Sequence, residues 1–182
     1  MSENPLKDIR HITVIGAGAM GSQIAMVCAL AGYDTDVVDI KQEAVDKASE
    51  QLHSRMDRDV SKGRRTQQDV DAAFERLTFS TDRDACAAQA DFVIEAAVED
   101  LTIKRQVFAE LDAVCPEHTI LATNSSNIVS SRVADATNRP EKVCNVHFFN
   151  PALVMKCVEV VPHQGTSRET VETAMELARS IG

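Results

Sequence analysis

One hexapeptide limits the possible folds more than any other part of this 182-residue chain. Residues 9–15, IRHITVI, are β-branched and apolar, read as a strand, and run straight into Gly16-Ala17-Gly18-Ala19-Met20-Gly21. A helical stripe follows, with Met20, Ile24, Cys28 and Ala31 on one side and Gly32 as its stop. A glycine turn between strand and helix leaves backbone N–H groups free where the helix dipole attracts an anion. Each glycine has its own reason: Gly16 permits the tight turn, Gly18 clears space for a pyrophosphate, and Gly21 lets helix and strand approach. Asp39 closes a second strand, residues 35–39, eighteen positions after Gly21. In that setting a common pattern becomes a dinucleotide site, with Ala19 and Met20 inside the cofactor-binding turn. Asp39 bonds ribose hydroxyls and repels a 2′-phosphate, which favours NAD over NADP; Lys41 weighs slightly the other way.

The remainder alternates. Further strands are predicted at 92–98, 119–123, 142–149 and 156–161, with one more near Leu77. A helix over 101–115 carries Ile103, Val107, Leu111 and Val114 at helical spacing, and one over 166–181 opens with Thr166 and Glu169 in a capping-box spacing. Repeated βαβ units imply a Rossmann-like, doubly wound α/β fold with a mainly parallel sheet covered on both faces. The stretch after Asp39 is too long for one crossover helix. It reads as two helices, about 41–61 and 66–76, broken at Lys62-Gly63: a helical hairpin inserted after the second strand. Such a hairpin serves either as an extra packing layer or as a ligand contact.

Composition narrows the function. A formal charge of −9 opposes general binding to nucleic acid or to anionic membranes. The five cysteines show no CxxC, and Cys28, Cys144 and Cys157 lie in apolar runs as small buried residues do. Neither a disulfide framework nor a metal site is expected, and a reducing cytoplasm fits. No apolar run is long enough to span a bilayer, and residues 1–12 are too polar for a signal peptide.

His147 begins HFFNP at the C-terminal end of a predicted strand, where open α/β sheets bind ligands. Glu159 follows twelve residues later inside KCVEVV, sharing a face with Met155, Cys157 and Val161. A carboxylate buried there needs a partner, and an imidazole suits: the carboxylate would orient the ring and raise its basicity. Such a histidine can take a proton from a hydroxyl while hydride leaves the same carbon. A satisfied core histidine beside a partly exposed glutamate is the alternative the spacing leaves open.

With GAGAMG, Asp39, IEAAVE (94–99), TNSSN (123–127), HFFNP and MKCVEVV (155–161) in order, the whole chain resembles the N-terminal domain of the L-3-hydroxyacyl-CoA dehydrogenase family. The resemblance implies interconversion of 3-hydroxyacyl-CoA and 3-oxoacyl-CoA with NAD. It implies His147 as catalytic base, Glu159 as its orienting carboxylate and Ser126 as the contact to the substrate's 3-oxygen. Asn150 would lie beside nicotinamide and substrate, and Asn124, Glu99 and Lys104 would line the cofactor pocket. On physical grounds Lys104 also fits a solvated helix charge, Glu99 a helix-start acid, and Ser126 and Asn124 turn formers. The basic cluster Arg55, Arg58, Lys62, Arg64 and Arg65, Lys62 first, would meet the CoA phosphates.

Family members continue into an all-helical domain that dimerises and closes the cleft, and that domain is absent from residues 1–182. The chain is therefore expected to bind NAD while turning over poorly or not at all. TNSSN, with Ser125 for the commoner threonine, keeps the hydroxyl. A stand-alone NAD-binding sensor or interaction module, and a dehydrogenase of a small non-CoA hydroxy acid, are the competing readings.

Overall fold

Strand β1 (His11–Ile15) lies at the centre of the molecule because every residue after His11 in it is buried. Helix α1 (Ala19–Leu30) and β2 (Asp34–Val38) follow, then α2 (Gln42–Ser61), α3 (Gln67–Glu75) and β3 (Leu77–Ser80). The second half runs α4 (Arg83–Ala87), β4 (Phe92–Glu95), α5 (Leu101–Val114), β5 (Ile120–Thr123), α6 (Ser131–Ala134), β6 (Val143–Phe148), β7 (Val158–Pro162) and α7 (Arg168–Ser180). The structure, a computed structural model, describes residues 9–182. The polar N-terminal stretch discussed above lies mostly outside the described residues.

The sheet order is β3-β2-β1-β4-β5-β6-β7, parallel except for β7. β1 pairs with β2 on one side and β4 on the other, so the chain reverses its winding there and opens a crevice at the carboxyl ends. This is the doubly wound, mainly parallel α/β architecture the sequence predicts. The antiparallel β7 is a departure confined to the edge.

Four local readings need correction. On α5 the buried residues are Lys104, Phe108 and Leu111, while Ile103 is 44% exposed. An ionisable residue belongs to the face that was read as aliphatic. On α7 the cap is Ser167, which accepts from Thr170 N; Thr166 instead accepts from His163 N and donates to the Val143 carbonyl. Cys157, expected inside, is exposed because it precedes the residues of β7 that pair with β6. Glu159 is not buried either; its side chain is 56% exposed.

The two helices after β2 do not stand free of the body. Leu52, Met56, Val70 and Ala73 close a buried cluster with Met26 and Ala29 of α1. The base of the hairpin is a packing layer, and the His53 ring stacks on Phe74 with centroids 3.8 Å apart.

At the opposite end of the sheet from the crevice, His11 Nε2 meets the buried Asp36 Oδ2 at 2.6 Å. That hydrogen bond outweighs partial burial and raises the His11 pKa above its ordinary 6.5. A raised folded-state pKa stabilises fully below 6.5 and is lost as pH climbs through the higher, folded value. The thermal midpoint should therefore fall on going from mildly acidic to mildly alkaline buffer. Scanning calorimetry of His11→Gln across the same range should show a flatter dependence.

Candidate active site

The glycine turn is built as its sequence demands, and the three glycines separate by cause. A Cβ on Gly21 would stand 1.9 Å from the Gly16 carbonyl oxygen, and one on Gly16 would stand 2.7 Å from the Ala96 carbonyl oxygen. Gly16 also has φ +105°, a conformation side chains rarely adopt. Gly18 differs: its backbone is ordinary (φ −69°, ψ −176°) and a Cβ there meets nothing within 4 Å. The protein has no packing reason for Gly18, so the reason lies with what approaches it. Helix α1 begins at this point with no side-chain cap and no acidic residue in its first turn. Its free N–H groups and dipole suit the pyrophosphate of a dinucleotide.

Two substitutions test this division. Gly21→Ala should destabilise by about 1–3 kcal/mol, since backbone must shift to admit the methyl group. Gly18→Ala should change stability by less than about 1 kcal/mol, yet weaken NADH binding severalfold. Chemical denaturation and a fluorescence titration separate the two outcomes.

Asp39 is engaged with its own loop: Oδ2 accepts from Ala17 N at 3.0 Å and Oδ1 from Lys41 N at 3.1 Å. Each carboxylate oxygen keeps acceptor capacity, so a ribose hydroxyl can still bond there.

The spacing of His147 and Glu159 is the reach of an antiparallel pair. The two residues stand directly opposite each other in the β6–β7 ladder, and Nδ1 lies 3.0 Å from Oε2. A carboxylate only accepts, so the shared hydrogen belongs to Nδ1. In the neutral ring Nε2 then keeps its lone pair and can accept from Ser126 Oγ, 2.9 Å away. Phe149 tilts against the imidazole at a centroid distance of 5.1 Å. The result is a bare ring nitrogen with an oriented base behind it and an exposed hydroxyl in front.

The loop that delivers Ser126 is fixed from several sides. Asn124 Oδ1 accepts from Phe148 N at 2.8 Å, tying the loop to the strand of His147. Ser125 Oγ accepts from Ile128 N at 2.8 Å and donates to Glu99. Asn145 Nδ2 donates to the Ser125 carbonyl at 3.2 Å. Partial burial pushes the Glu99 carboxyl up, but Ser125, the Lys104 charge and Asn127 N outweigh it and hold it below the usual carboxylate range.

Lys104 enters differently from the expectation of a pocket-lining or solvated charge. It is 1% exposed, and Nζ lies 2.7 and 2.9 Å from the two carboxylate oxygens of a fully buried Glu95. Glu95 escaped the sequence reading. A carboxylate at the end of the apolar run FVIE was the available signal, by the same argument that was applied to Glu159.

Asn150 and Lys62 are exposed. Of the basic cluster, Arg55 and Arg64 both pair with the buried Asp59 of α2, and Arg55 with Arg58 also lines a cavity beside Ala19 of the glycine turn.

Residues 11–182 match the family described as "3-hydroxyacyl-CoA dehydrogenase, NAD binding domain". A probable 3-hydroxybutyryl-CoA dehydrogenase of Bacillus subtilis (strain 168) is 41% identical over 175 residues, covering 96% of this chain and 61% of its own. The crystal structure of 3-hydroxybutyryl-CoA dehydrogenase from Escherichia coli K12 superposes with a TM-score of 0.93 at 42% identity, covering 96% of this chain and 37% of that one. The (S)-3-hydroxybutyryl-CoA dehydrogenase from Ralstonia eutropha superposes with a TM-score of 0.92 at 35% identity, covering 96% and 62%. This chain thus spans less than two thirds of the length of each of these relatives.

Proposed function

The chain belongs to the 3-hydroxyacyl-CoA dehydrogenase family, whose NAD-binding domain it matches, and from that premise we propose that it interconverts L-3-hydroxyacyl-CoA and 3-oxoacyl-CoA. The observation that carries the reading is the row Ser126–His147–Glu159, set at the carboxyl edge of the sheet that also holds the glycine turn. NAD, when bound, supplies the hydride acceptor. A substrate 3-hydroxyl placed between Ser126 Oγ and His147 Nε2 gives its proton to Nε2. Glu159 stabilises the imidazolium so formed, and Ser126 donates to the 3-oxygen as its carbonyl develops. In the reverse direction Nε2 returns the proton. Asn150, Asn124 and Glu99 would contact the bound cofactor, and Lys62 with Arg58 would meet the CoA phosphates.

Ser126 and Glu159 are exposed, so residues 9–182 alone shelter the reacting centre poorly. Water at the site weakens positioning and polar stabilisation, and the reaction of this chain is expected to be slow. A helical domain that closes the cleft and dimerises is part of the same proposal. Among the described residues no helix is long and apolar enough to cross a membrane. A reducing compartment such as the cytoplasm belongs to the same proposal.

The test is one fluorescence record at equal concentrations of chain and cofactor. NADH emission should rise on mixing, then decay slowly after acetoacetyl-CoA is added. No rise on mixing would remove the cofactor reading and the proposal with it.

A further inference from the structure

Glu95 and Lys104 form an ion pair that the chemistry above does not use, sealed from solvent at 0% and 1% exposure. Packing alone gives no reason for it, because apolar side chains of similar volume hold a core at least as well as a buried ion pair. What the pair does is tie two loops together. Glu95 Oε1 accepts from Lys104 Nζ and from Ala97 N, each at 2.7 Å. Oε2 accepts from Nζ at 2.9 Å and from Thr123 Oγ1 at 2.8 Å. Ala97 follows Ala96, whose carbonyl bears on Gly16, so one tied loop backs the glycine turn. Thr123 Oγ1 accepts from Ser125 N at 3.2 Å, and Lys104 Nζ lies 3.5 Å from Glu99, which receives the Ser125 hydroxyl. The other loop therefore carries Ser126.

We infer that Glu95 is a positioning residue which, through Lys104 and Thr123, holds the Ser125–Ser126 turn so that Ser126 Oγ stands 2.9 Å from His147 Nε2. A carboxylate is required for this. Its two oxygens receive three separate groups, the Lys104 ammonium, the Ala97 amide and the Thr123 hydroxyl, whereas an amide has one acceptor oxygen and turns an NH2 toward at least one donor. The inference rests on His147 and Ser126 being the reacting pair, but its test reads geometry instead of turnover.

The measurement is the 15N resonance of His147 Nε2 in the cofactor-free chain, identified by its loss in His147→Gln. Ser126→Ala sets the position of the resonance when the hydroxyl is gone. Thr123→Val keeps the shape of the side chain and removes the link; Glu95→Gln with Lys104→Met removes the pair without stranding a charge. Both should unfold cooperatively and move the resonance most of the way toward the Ser126→Ala position. A folded variant of either kind that keeps the wild-type resonance overturns the inference, and Thr123→Val decides alone if the double variant does not fold. Loss of NADH affinity with the resonance unmoved also overturns it, because the pair would then serve only the cofactor loop. A Ser126→Ala resonance identical to wild type would show instead that the serine–histidine pairing is absent.

Discussion

His147→Gln is expected to slow reduction of acetoacetyl-CoA by about 10²–10⁴-fold, the usual contribution of a general acid–base, while NADH affinity stays within about twofold of the parent chain. Glutamine is close to histidine in size and can still hydrogen-bond Glu159 and Ser126, so the β6–β7 edge should keep its pairing. What disappears is the ring nitrogen that takes and returns the proton. The glycine turn lies on other strands, which is why cofactor affinity should be spared. The comparison also separates an enzyme from a binding module: a module that senses NAD would keep its output without the imidazole. Stopped-flow absorbance for turnover and a fluorescence titration for affinity give both numbers from one preparation.

Lys104→Met should destabilise the fold by about 3–5 kcal/mol, the range for breaking a buried ion pair by removing one partner. The substitution leaves the Glu95 carboxylate at 0% exposure with only Ala97 N and Thr123 Oγ1 as donors. Burying an unpaired charge dominates any gain from the added apolar surface. The Arg168–Glu172 pair on α7 provides the contrast. Its side chains are 91% and 52% exposed, and removing it should leave the unfolding midpoint unchanged. Urea denaturation of both variants decides the matter. A Lys104→Met chain as stable as its parent would mean that the Glu95–Lys104 pair contributes nothing to folding.

Much of this molecule was legible because the strongest signals are local. The glycine turn, Asp39 and the alternation of strands and helices act within a few residues, and the sheet follows from them. The His147–Glu159 pairing was also legible, but for a partly mistaken reason. Burial was the argument for giving Glu159 a partner, yet the residue is largely exposed, and register across an antiparallel edge brings the two together. The burial argument belonged to Glu95, where it was not applied. Periodicity misled on α5 for a related reason: an aliphatic stripe was assumed to face inward. A lysine neutralised by Glu95 took the buried position, leaving Ile103 outside. A carboxylate from a neighbouring strand cannot be seen in a helix's own pattern. The hairpin's length was readable, and Arg55 and Asp59 stand at a legible i,i+4 spacing, but its docking on Met26 and Ala29 is a tertiary fact.

The most direct test of the central claim follows one atom. The chain, NAD and L-3-hydroxybutyryl-CoA carrying deuterium at C3 are mixed in comparable amounts and quenched over time, and the NADH is weighed by mass spectrometry. Deuterium should appear slowly in the NADH formed by the parent chain, and at least about 100-fold more slowly with His147→Gln. Label transferred equally well by both chains would contradict the assignment of this site.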